Sequence, residues 1–359
     1  MMNKTIGALT GRLVGFSLAV VGLGAPALAQ QAPVKVNVVG QALATLPQHR
    51  TVEAPLFKAL QDKSGGKIEV TLATWAERNV GGPDILRLVR SGLADIAVVP
   101  LYTVSGDVPL LDIVDLPGLN PTVAQARKVA ETVIPEANKV LEKFNVKILA
   151  PFAFTAQVLF CREPVANLAS LQGRRVRTGG GSVNDFISAI GAQPVGVAFP
   201  EVYSALERGT VDCAITGTQT GNSAKWYEVT KGIYSLTTSW STAAYFVNLS
   251  WWNKLDPAIR DMIAATMKEV EEKQWKLAEE LTEVGIACNV GDAKKCTSGT
   301  LVDKKPLALS EPNAADKEKL LRALSDNILP AWVKRCGPQC GELYNKVVAP
   351  ITGIKYAAK

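Results

Sequence analysis

The strongest constraint on the fold is an alternation of two hydrophobic periods between residues 35 and 100. Lys35 to Val39 (KVNVV) has the apolar character of a buried strand. His49 to Lys63 then places Val52, Leu56, Phe57 and Leu60 at helical spacing, and Gly65-Gly66 stops the pattern. Lys67 to Ala73 (KIEVTLA) alternates as a second strand. Asp84 to Arg90 (DILRLVR) reads as a short helix before Gly92, and Asp95 to Pro100 (DIAVVP) as a third apolar strand. Strands separated by helical crossovers of this length can pair in parallel. The expectation is an α/β domain with a mostly parallel sheet.

A second unit repeats the idea. Val146 to Leu149, Gln157 to Phe160, Arg175 to Arg177 and Val211 to Thr216 read as strands, and Ser182 to Ile190 and Pro200 to Glu207 as helices. Ala243 to Asn248 (AAYFVN) is an apolar strand able to return the chain to the first sheet. From Asp256 to about Ala287 the chain is one helical stretch, opened by an Asp-Pro cap and first-turn proline. A helix of ~30 residues is about 45 Å long, more than the width of one small domain, so it should span both lobes.

The first 29 residues read as an address. Lys4 and Arg12 precede an apolar run from Leu13 to Leu23, and Ala27-Leu28-Ala29 supplies small residues for cleavage after Ala29. The run falls short of the ~20 residues a membrane span needs, and Gly24 and Pro26 interrupt it. The mature chain is therefore expected to be exported and not inserted in the membrane. The composition is that of a globular protein, 47% hydrophobic and 20% charged. A net charge of +6 without a dense basic run gives no reason to expect nucleic acid.

Export permits disulfides. Proximity favours Cys288 with Cys296 and Cys336 with Cys340, which leaves Cys161 with Cys213. A single histidine, His49 in LPQHR, excludes a histidine-based metal cluster. A catalytic triad would have to use it, so a secreted hydrolase acting through His49 is one competing reading. Gly179-Gly180-Gly181 before Ser182 could present backbone N–H groups to an anion. It lacks the spacing of a phosphate-binding loop or dinucleotide fingerprint, and no cofactor is expected.

Arg174-Arg175-Val176-Arg177 is an unusual strand. Arg175 and Arg177 share one face and Arg174 takes the other. A guanidinium can grip a carboxylate through two parallel hydrogen bonds if it faces a cleft.

Several stretches together resemble the solute-binding proteins of TRAP transporters, the DctP family. They are LQGRRVRTGGG, IGAQPVGVAFPEVYSALERGTVDC, SAKWYEVTKGIY and YFVNLSWWNKLDP, and upstream FKALQDKSGGKIEVTLA, LRLVRSGLADIAVV and DIVDLPGL. The resemblance covers nearly the whole mature chain. It implies a two-lobed α/β fold of the periplasmic-binding-protein kind, with a long helix spanning both lobes. It implies lobe I from 30–154 plus about 241–268, and lobe II from 155–240 plus about 269–359. It implies a periplasmic monomer without catalysis, partnered by TRAP membrane subunits. The family's carboxylate-binding arginine falls on Arg177, the Phe of its "AFSEVY" motif on Phe199, and an aromatic after the "YEV" segment on Trp240. A further arginine common in the family is replaced by Gln157, with Arg162 out of register, and a common Asn by Thr216. One cation with neutral neighbours, and apolar walls from Phe199, Trp240, Trp75 and Tyr102, points to a monocarboxylate. A ligand-binding module serving a sensor is the other competing reading.

Overall fold

The computed structural model describes residues 32–358; the leader expected at residues 1–29 lies outside them. Among the described residues, eleven strands form two sheets. The first is built from β1 (Val34–Val39), β2 (Ile68–Ala73), β3 (Ile96–Pro100), β4 (Val146–Phe152) and β10 (Ala243–Asn248), in the order β2-β1-β3-β10-β4. The second contains β5 (Gln157–Cys161), β6 (Arg175–Thr178), β7 (Gln193–Gly196), β8 (Cys213–Gly217), β9 (Gly232–Tyr234) and β11 (Ala308–Ser310), in the order β11-β9-β5-β8-β6-β7. Both belong to one compact unit.

Each sheet is parallel except for one strand. β10 runs antiparallel to β3 and β4, and β5 runs antiparallel to β8 and β9. These are the strands by which the chain enters one lobe from the other. All six residues of β10 and all five of β5 are buried, and apart from Asn248 at the end of one and Gln157 at the start of the other both read as apolar runs.

The helix Pro257–Asn289 has 33 residues and runs along both lobes. Asp256 caps it by accepting from the Ala258 N–H at 2.8 Å. Its N-terminal part, through Trp275, buries Ile259, Ile263, Met267, Val270 and Trp275 in the core under the first sheet. Its second half meets the short helix Thr218–Ser223 of the second lobe. There the Thr218 hydroxyl donates to the Thr282 carbonyl at 2.7 Å. Gly285 permits that approach, because a β-carbon would collide with the backbone of Thr218 and Gln219.

The helical periodicity reading does not single out Val123–Leu141, a 19-residue helix on the first lobe with Pro135 inside it. Nor does it single out the C-terminal helices. One of these, Leu329–Cys336, touches both lobes. The Trp332 indole donates to the Pro109 carbonyl at 2.7 Å, and Arg335 pairs with Asp185 at 2.7 Å.

Three disulfides are present: Cys161–Cys213, Cys288–Cys296 and Cys336–Cys340. The first ties β5 to β8 in the middle of the second sheet and closes a loop of 52 residues. Chain entropy gives it about 4 kcal/mol, against about 2 kcal/mol for the shorter loops. Replacing Cys161 and Cys213 together by Ala should therefore lower the unfolding free energy by several kcal/mol. Replacing Cys336 and Cys340 should cost clearly less. Denaturant titration of the two variants checks the order.

Candidate ligand-binding site

A cavity of about 310 Å³ lies between the lobes. Its walls come mainly from residues at or just beyond the carboxyl ends of parallel strands: Gln41 after β1, Trp75 after β2, Tyr102 after β3, Arg177 to Gly180 at the end of β6, and Thr216 in β8. Open α/β sheets bind ligands at this edge because the loops there are free to vary. The two crossing segments contribute Phe154 and Ser241.

Arg177 is the only charged side chain lining the cavity among the described residues. It is 4% exposed. Its Nε donates to the Val197 carbonyl at 2.9 Å and Nη1 to the Ile215 carbonyl at 3.3 Å. These bonds orient the fork but bring no negative charge. Burial lowers the guanidinium's affinity for its proton, and the Tyr102 hydroxyl partly offsets this. Phe199 lies 5.8 Å from the guanidinium carbon, ring face toward it, and packs on Trp226 with centroids 5.6 Å apart. The other arginines of the strand are occupied elsewhere. Arg175 pairs with Asp212 at 2.7 Å, and Arg174 donates to the Glu163 carbonyl at 3.1 Å.

The triple glycine seats the first lobe. The Tyr102 ring lies so close to Gly179 that a β-carbon there would overlap it. At Gly181 (φ +57°) a β-carbon would meet Ser105, Asp112 and the Tyr102 carbonyl. The N-terminus of the helix Ser182–Ala189 does receive an anion, and it is the protein's own. Asp112 accepts from the Ser182 N–H at 3.1 Å and hydroxyl at 2.8 Å. Burial still pushes the Asp112 carboxyl up to about 6.

Of the residues expected at the site, Arg177, Phe199, Gln157, Thr216, Trp75 and Tyr102 all line this cavity. Trp240 does not. Its indole is buried in the first-lobe core and donates to the Asn120 carbonyl at 3.0 Å, which turns it away from the ligand space. The neighbouring Ser241 (φ +47°) and Phe154 stand in the wall instead. His49 does not line the cavity either. Its Nδ1 lies 2.6 Å from buried Glu53, which raises its pKa despite burial, and no serine hydroxyl pairs with it among the described residues. Sequence reasoning missed Gln41 and Thr220; Gln41 follows Gly40 at the end of an apolar strand, the one local signal that could have found it.

Asp115 holds the return crossing in shape. It accepts from the backbone N–H of Trp240 at 3.0 Å and of Thr242 at 2.9 Å. Asp115 is half-buried; loss of hydration pushes its carboxyl up to about 7, with the backbone N–H groups of Thr242 and Trp240 opposing the shift. Among the described residues there is no cluster of three or more His, Cys, Asp or Glu placed to hold a metal ion, and no helix long and apolar enough to cross a membrane.

Two lobes, a buried cleft and a lone guanidinium define a ligand-binding protein. Residues 39–288 match the family described as bacterial extracellular solute-binding protein, family 7 (DctP), and the chain belongs to that family. The 2,3-diketo-L-gulonate-binding periplasmic protein YiaO of Escherichia coli strain K12 is 25% identical over 288 residues, 77% of this chain and 87% of that one. Among solved structures, a TRAP periplasmic solute-binding protein from Desulfovibrio salexigens with bound orotic acid superposes with a TM-score of 0.77. It is 20% identical and covers 88% of this chain and 99% of its own. DctP6 of Bordetella pertussis, an extracytoplasmic solute receptor binding pyroglutamic acid, gives 0.75 at 23% identity, with 86% and 97% covered.

The raised carboxyl of Asp115 fixes a pH dependence. Because its folded value lies above the ordinary 3.8, its contribution to stability is complete below that pH and is lost as pH rises to about 7. Asp115→Asn should flatten that part of the stability profile relative to wild type. Unfolding free energies measured from pH 4 to pH 8 check it, and equal slopes for the two proteins would contradict the assignment.

Proposed function

We propose that this protein captures a small organic monocarboxylate between its lobes in the periplasm. It then delivers the acid unchanged to the membrane subunits of a TRAP-type transporter. The observation that carries the reading is Arg177: a buried cation with no counter-charge among the described residues, in a cavity whose other walls are neutral. A buried charge left unpaired is costly, and a ligand carboxylate is the partner that relieves it. Arg177 would take the carboxylate. Gln157 and Thr216 would offer neutral hydrogen bonds, and Trp75, Tyr102 and Phe199 apolar contact. The acids named for related proteins, among them 2,3-diketo-L-gulonate, orotic acid, pyroglutamic acid and succinate, support a small organic acid as the guest, and the single guanidinium favours one carboxylate. Closure would bring lobe I (30–154 plus about 241–268) onto lobe II (155–240 plus about 269–359) in a monomer.

Arg177→Ala should weaken binding of any acid found by thermal-shift screening by roughly 100-fold, the order expected when one member of a buried charge-assisted pair is lost. Arg177→Lys should fall between, because it keeps the charge and loses the fork. Calorimetric titration of both variants, with folding checked by circular dichroism, tests this. Unchanged affinity in folded Arg177→Ala overturns it.

A further inference from the structure

The cavity's two glutamines do not merely add polarity; their orientation is dictated by atoms that can only accept, or have already spent their proton. Gln157 Nε2 donates to the Thr155 carbonyl at 2.8 Å. A carbonyl cannot donate, so the nitrogen end of the amide is fixed there. The Gln157 oxygen remains, and no donor of the described chain meets it.

Gln41 is fixed by a longer chain of the same logic. Glu53, wholly buried, accepts from the Gln41 backbone N–H at 3.0 Å, from His49 Nδ1 at 2.6 Å and from the Tyr245 hydroxyl at 3.0 Å. Burial pushes the Tyr245 phenol well above its ordinary value, so its proton stays in place and points at Glu53. The Tyr245 oxygen can then only accept, and Gln41 Nε2 donates to it at 3.3 Å. Again the amide oxygen is left over, in a residue that lines the cavity from the first lobe. Gly40 makes room for this arrangement, since a β-carbon there would strike the Glu53 carboxylate.

We infer that Gln41 and Gln157 are specificity-determining residues that present amide oxygens, so that the site selects monocarboxylates whose bodies carry O–H or N–H donors and rejects dicarboxylates. The inference rests on the proposed function, with Arg177 taking the one carboxylate. A second carboxylate would face two carbonyl oxygens with no further cation in the wall. A hydroxyl or ring N–H would be matched in the same place. Buried groups that lose their partners make such discrimination steep.

The test is calorimetric titration of wild-type protein, Gln157→Leu and Gln41→Leu with matched acids. The pairs are L-pyroglutamate against 5-oxotetrahydrofuran-2-carboxylate, and gluconate, lactate and mandelate each against its O-methylated counterpart. Succinate and glutarate serve as dicarboxylates. Wild type should prefer the donor-bearing member of each pair it binds by at least about tenfold, the worth of one hydrogen bond with its desolvation. Both dicarboxylates should be weaker still. One or both leucine variants should lose that preference while still binding acids in an Arg177-dependent manner. Arg177-dependent binding with no donor preference, or tight binding of succinate, overturns this inference and leaves the proposed function standing. If no carboxylate in a broad thermal-shift library binds, the proposed function and this inference fall together.

Discussion

A guanidinium held out of water, with backbone carbonyls, a tyrosine hydroxyl and a ring face around it but no carboxylate among the described residues, is the interaction around which the rest of this structure is arranged. Desolvation of a charge costs several kcal/mol even after the protein relaxes. The fold places that cost at the meeting of two lobes: β6 carries Arg177, and Val197 and Ile215 aim it with their carbonyls. Stability alone does not require this, because an apolar residue would pack there at lower cost. The arrangement makes sense when a negatively charged guest completes it.

The surrounding architecture keeps the two halves of the site separate yet registered. Each sheet accepts one antiparallel strand from the other lobe, so the lobes are joined by crossings rather than merged. Asp115 fixes the shape of the return crossing, and the 33-residue helix runs along both halves. The glycines at 179 and 181 let Tyr102, Ser105 and Asp112 approach the second lobe directly. A bulkier residue at 179 would hold Tyr102 away from Arg177, so the glycine run serves contact between lobes, with Asp112 filling the helix N-terminus behind it.

Much of this was legible in the sequence because it is written in local pattern. The pattern predicts β10 at Ala243–Asn248 and it is found there, since five consecutive apolar or aromatic positions admit little else in an α/β chain. Three arginines around one valine make an unusual strand, and the resemblance to the DctP family is what singles out Arg177 among them. What was not legible depends on distant partners. Trp240 carries the same local signal whether it faces a ligand or a core, and Asn120 and Asp115 decide the matter. Gln41 acquires its direction from Tyr245, 204 residues away, through a glutamate that the helical period marks only as one more polar position. Val123–Leu141 hid behind small apolar residues and an internal proline.

The central claim is that Arg177 awaits a negative charge. The most direct measurement is calorimetric titration of one bound acid against its own primary amide, which matches it in shape and lacks the charge. The account predicts that the acid binds at least about 100-fold more tightly, because only the carboxylate relieves the buried cation. An amide that binds as tightly as the acid would contradict it.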